Sequence, residues 1–108
     1  MIDFTLFSVP LLYSRNKNLQ YKENTIQMST ALLKFLHDEG VISTPPFTEN
    51  GDLKMDFLVR KSDVTEEGVE LFKNVIPKWW QKIDRGLDRS DVSFLKRELD
   101  KLRASESR

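Results

Sequence analysis

The chain has no cysteine and a single histidine, His37, among its 108 residues. The first absence excludes a disulfide framework and thiolate metal sites, and is the usual composition for a reducing compartment. The second excludes a histidine-based zinc cluster and any nucleophilic triad that needs more than this one imidazole. Glycine is scarce and scattered, with Gly40, Gly51, Gly68 and Gly86 each standing alone, so no glycine-rich loop is available to cradle a phosphate. No apolar run approaches the roughly 20 residues that a membrane-spanning helix requires, and the stretch from Met1 to Pro10 carries Asp3 without the basic flank of a secretory leader. Net charge is also missing. Seventeen Lys and Arg balance 17 Asp and Glu, which leaves no global field to gather nucleic acid or an anionic membrane. The composition therefore predicts a cytoplasmic protein with one domain over residues 1–108, long enough to bury its own core.

What is present is a clear alternation of strand and helix patterns. Ile2, Phe4 and Leu6 alternate with Asp3 and Thr5, which predicts a half-buried strand ending near Val9, because Pro10 cannot donate to a ladder. Ser14 to Asn24 is polar and reads as a loop with some helix. A helix follows from about Thr25 to Glu39, capped by Asn24, with Met28, Leu32, Phe35 and Leu36 on one face and Gly40 as its stop. Asn50-Gly51 is a two-residue hairpin signal, and beyond it Leu53, Met55, Phe57 and Val59 alternate with Lys54, Asp56, Leu58 and Arg60 as in a strand. Thr65 caps a second main helix, whose Val69, Phe72, Ile76, Trp79, Trp80 and Ile83 form an apolar stripe. Pro77 lies inside it and must either kink one helix or separate two. A last helix starts near Ser90 with Val92, Leu95, Leu99 and Leu102 in a row, and Ala104 to Arg108 should fray. Together these predict an α+β fold: a small antiparallel sheet of about three strands with three helices packed on one face.

The charged residues are less evenly spread than their sum. From Asp38 to Glu70 there are nine acidic residues against three basic, a net of −6, whereas Lys73 to Arg103 holds nine basic against five acidic, a net of +4. No pattern marks Asp52, Asp56 or Asp63 for acid and base work, and His37 sits where an imidazole suits the negative end of a helix. Catalytic, cofactor and metal sites are all expected to be absent. Adjacent residues on a helix point about 100° apart, so Trp79 and Trp80 both face the core only if the stripe is wide; core burial is the favoured reading, the alternative puts one at the exposed edge, and Trp80 is taken as a candidate anchor for a partner.

Two resemblances attach to these residues. The run from Val59 to Phe72, with Thr65-Glu66-Glu67-Gly68 opening a helix after a hairpin, resembles the wing-to-helix segment of winged-helix regulators and implies DNA binding as an alternative. Such a regulator needs a reading helix ahead of the wing, and an acidic wing is repelled by phosphate, so nucleic acid is not the expected partner. In size, lack of active-site residues, charge layout and the make-up of Thr65 to Gly86, the chain resembles the small immunity proteins that bacteria pair with polymorphic secreted toxins, including those of contact-dependent growth inhibition. That resemblance implies a non-enzymatic domain that binds and neutralises a basic cognate toxin domain, such as a nuclease. Glu49, Asp52, Asp56 and Asp63 would then face the toxin, with Trp80 as an additional contact.

Overall fold

The structure is a computed structural model, described over residues 5–15 and 17–106. In chain order it contains strand β1 (Thr5–Ser8), helix α1 (Val9–Ser14), helix α2 (Leu19–Asp38), strand β2 (Leu58–Arg60), a 3₁₀ turn (Lys61–Asp63), helix α3 (Glu66–Glu70), a π segment (Leu71–Val75), helix α4 (Ile76–Asp84) and helix α5 (Ser93–Glu106). The fold is α+β. Among the described residues its sheet has two antiparallel strands, β1 and β2, rather than about three as expected, and α3, the π segment and α4 run on as one helical stretch, which with α1, α2 and α5 makes four helices rather than three.

The missing strand has a local cause. The alternation from Leu53 to Val59 is interrupted at Met55 and Asp56 by a turn that Phe57 closes, its N–H donating to the Lys54 carbonyl at 3.1 Å. Only Leu58 to Arg60 pair with β1. On the other arm of the hairpin, Pro45 and Pro46 have no N–H to give a ladder, so pairing is confined to a single bridge between Phe47 and Leu53. The turn itself is not the two-residue type. Gly51 alone has a positive φ, 88°, while Asn50 does not, and Thr48 pairs with Asp52 across the loop (N to O, 2.8 Å) while Gly51 N–H bonds the Thr48 carbonyl at 2.9 Å. That is a three-residue loop closed by a glycine bulge.

β1 also departs from its pattern. A bulge between Thr5 and Phe7 shifts the register, and a bulge re-aims the side chains that follow it. Phe7 rather than Leu6 is the buried residue, and Leu6 is only half-buried; Ile2 and Phe4 lie outside the described residues. At Ser8 the chain turns directly into α1, because the Ser8 hydroxyl accepts from Leu11 N–H at 3.2 Å and Pro10, one residue into the helix, lacks an N–H that would be unpaired there anyway. α2 begins six residues before the expected start, because the Asn18 side chain caps it by accepting from Tyr21 N–H at 3.1 Å. Asn24 is interior to that helix and accepts from Gln20 Nε2 at 3.0 Å. The stop at Gly40 is as expected: φ is 75°, and Val41 N–H reaches back to the Leu36 carbonyl at 2.8 Å, a left-handed terminus that returns buried Val41 to the core.

The core gathers Leu32, Leu33 and Leu36 of α2, Val59 of β2, Leu71, Ile76 and Trp79 of the long helical stretch, and Leu95 and Leu99 of α5. The leucine stripe of α5 is therefore consumed within the molecule. At Pro77 the helix neither breaks nor simply bends. Ile76 N–H bonds the Leu71 carbonyl, one residue beyond the regular α spacing, so the π segment takes up the disturbance just before the proline. The extra residue re-phases the stripe, which explains why Leu71 and Val75 are buried while Val69 and Phe72, placed on the stripe by a constant 100° step, are only half-buried.

Candidate functional site

Two features stand apart from the core, an acidic arm and a cleft. The arm begins where residues 41–43 pair with residues 63–65: Thr65 N–H donates to the Val41 carbonyl at 3.0 Å and Ser43 N–H to the Asp63 carbonyl at 3.1 Å. Between these points the chain makes an excursion anchored by buried Pro46 and Phe57. Glu49 and Asp52 lie on its Thr48–Asp52 loop and Asp56 on the second turn; all three are exposed, and none has an ion-pair partner among the described residues. Met55, exposed to 39% of its surface, stands between them. Asp63 differs. Its carboxylate accepts from Arg60 N–H at 3.0 Å and closes the 3₁₀ turn, which gives it a structural task.

The remainder of the acidic segment is partly neutralised from within. Arg103 of α5 donates to the Glu39 carboxylate at 2.9 Å, to the Glu39 carbonyl at 2.7 Å and to Glu67 at 3.3 Å, and Lys96 reaches Glu39 at 3.0 Å. Lys96 is held above the usual lysine range, chiefly by its bond to Glu39 and then by Asp100. The basic and acidic halves of the sequence thus meet at a seam that joins α5 to the end of α2 and the start of α3. Two carboxylates in the loop before α5 are lowered below their usual 3.8. Asp88 is held down by the Ser90 hydroxyl and N–H, and Asp91 by the Ser93 hydroxyl and N–H. Both are turn-forming, and the sequence did not distinguish them from solvated charge.

The two tryptophans separate cleanly. Trp79 is fully buried, and its indole N–H donates to the Asp91 carbonyl at 2.8 Å. Trp80 is half-buried, and Phe7 covers one side of it, with ring centroids 6.2 Å apart and planes 26° from parallel. Trp80 also lines a cleft of about 480 Å³ between α1, α2 and α4, a feature to which Glu49, Asp52, Asp56 and Asp63 contribute nothing. Leu12, Met28 and Ile83 supply the cleft's apolar wall; Tyr21, Asn24 and Thr25 of α2 supply polar groups; Arg15, Asp84 and Arg89 carry its charges. Nothing in the sequence marks this set, because its members are spread over residues 12–89 and only the packing of three helices brings them together.

Among the described residues no group of three or more His, Cys, Asp or Glu is placed to hold a metal ion, and no helix is long and apolar enough to cross a membrane. The helix α1 does supply a second helix ahead of the arm, which sequence alone did not, but it carries no charged side chain. No protein-family model, curated protein or solved structure matches this chain.

Proposed function

We propose that this chain is a non-enzymatic, cytoplasmic protein-binding domain of the immunity type, which neutralises a basic toxin domain through its acidic arm. The observation that carries the reading is the contrast within one acidic segment: Glu39 and Glu67 are engaged by Arg103, whereas Glu49, Asp52 and Asp56 are exposed on the arm without ion-pair partners among the described residues. Leaving such charges unpaired costs solubility nothing and offers a basic partner a complementary field, which sets association rate and specificity more than raw affinity. Exposed Met55 beside them supplies an adaptable apolar contact. Asp63 belongs to the surface only through its turn, and Trp80 belongs to the separate cleft.

The reading predicts that the gene lies beside one for a large secreted protein with a variable C-terminal domain. That C-terminal domain, produced with this chain, should co-purify with it and lose its growth-inhibiting effect. An adjoining toxin domain that neither binds nor is relieved contradicts the proposal. Duplex DNA is the contrasting partner, and the same exposed carboxylates argue against it, since phosphate repels them. Retention on random duplex at low salt, falling steeply as salt rises, would favour the regulator instead.

A further inference from the structure

We infer that the cleft between α1, α2 and α4 is a binding site for a small planar aromatic anion, with its ring against Trp80 and its anionic group between Arg15 and Arg89. The volume, about 480 Å³, falls in the range of pockets that enclose small molecules. Its charge is one-sided. Arg15 and Arg89 line it with a single carboxylate, Asp84, and none of the three forms an ion pair among the described residues. A guanidinium engages carboxylate or phosphate in a planar, two-bond geometry, so two in one cleft without an ion-pair partner among the described residues, Arg89 sharing only a weaker attraction with Asp88, favour an anion.

A second observation comes from the cleft's floor. Thr25 lines the cleft with only 6% of its surface exposed, and its hydroxyl, which is not among the fully buried unpartnered oxygens, is open to the cleft. At the wall of the cleft the Thr25 hydroxyl can donate to or accept from a bound group. The aromatic preference follows from Trp80. Phe7 stacks on it from the core, which fixes the indole and leaves it as a rigid platform, with Tyr21 as a second ring at the cleft. The shared chemistry is a flat ring bearing one anionic head, and carboxylate and phosphate heads are both compatible with two arginines.

Two probes with the same ring distinguish the heads: naphthalene-2-carboxylate and 1-naphthyl phosphate, with naphthalene-2-methanol as the uncharged control. Each is titrated into the 15N-labelled full chain. The two indole N–H signals serve as internal reporters, because that of Trp79 is bonded to the Asp91 carbonyl whereas Trp80 lines the cleft. At least one anion should shift the Trp80 and Thr25 signals and saturate below about 1 mM, with the alcohol at least about tenfold weaker. Whichever anion binds more tightly identifies the head group. Arg15→Gln and Arg89→Gln should each lower affinity about tenfold without changing the circular dichroism spectrum. Thr25→Val should weaken binding severalfold and leave the melting temperature nearly unchanged; a merely structural threonine would lose stability and leave binding alone. The inference is overturned if neither anion saturates by about 10 mM, if the alcohol binds as tightly as the acids, or if the double arginine variant binds as well as the native chain.

Discussion

At the scale of single residues, the least conspicuous positions carry the sharpest constraints. Gly68 opens the long helix in a first turn where any residue with helical backbone would be expected to do. Its importance is steric. A Cβ built there would lie 2.6 Å from Val41 Cγ1 and 2.9 Å from Val64 Cβ, because the pairing of residues 41–43 with 63–65 presses both valines onto the helix. Gly68→Ala should therefore destabilise the fold by about 1–3 kcal/mol, although alanine is the better helix former by about 1 kcal/mol. Urea denaturation measures the difference, and a stabilised variant would show that the valines yield. Trp79 is constrained from both sides, by full burial and by its bond to Asp91. Trp79→Phe leaves that carbonyl unpaired and a void beside it, and a loss of about 2–4 kcal/mol is expected in the same measurement.

At the scale of elements, what was legible in the sequence was what local chemistry decides. Thr65 does cap its helix, accepting from Gly68 N–H at 3.2 Å; Gly40 does end α2; and Leu95 and Leu99 do turn inward. What was not legible was set by interruption. The alternation of Leu53 to Val59 satisfies a strand pattern, but a turn at Met55 and Asp56 needs no special residue and so left no mark. The early start of α2 was obscured because Asn18 and Asn24 are both acceptable caps, and only the docking of α1 on α2, tied by the Lys22 ammonium to the Tyr13 carbonyl at 2.6 Å, favours the earlier one. The cleft was invisible for the same reason on a larger span.

Pro77 offers an element-scale test. A proline inside a regular helix costs about 3 kcal/mol, so its removal from one should stabilise by about that amount. Because the π segment already absorbs the disturbance, Pro77→Ala is expected to change stability by less than about 1 kcal/mol, and a gain near the full value would show that the helix is strained there. The loop before α5 makes a pH prediction. Asp91 is held below its usual 3.8 in the folded chain by the Ser93 hydroxyl and N–H, so its contribution is complete above the ordinary carboxylate range and is lost as pH falls through the lowered folded value. Asp91→Ala should melt below the native chain at neutral pH, and the gap should close in strong acid. A gap that persists in acid would assign the effect to the backbone of the loop rather than to the carboxylate.

At the scale of the whole molecule, the sequence divides into an acidic and a basic half, and folding changes what that division means. The seam of Glu39, Glu67, Lys96 and Arg103 spends part of both halves on holding α5 in place. Among the acidic charges left outside the seam, Glu49, Asp52 and Asp56 lie together on the arm, which makes the arm the place where the molecule can be altered electrically without touching its core. The most direct measurement is the association rate of the native chain and of the Glu49→Lys, Asp52→Lys, Asp56→Lys triple variant with the toxin domain encoded beside it, at low and at physiological salt. The account predicts an unchanged melting temperature, an association rate at least about tenfold slower for the variant at low salt, and a difference that narrows as salt rises. Equal rates and equal affinities for the two chains would contradict it.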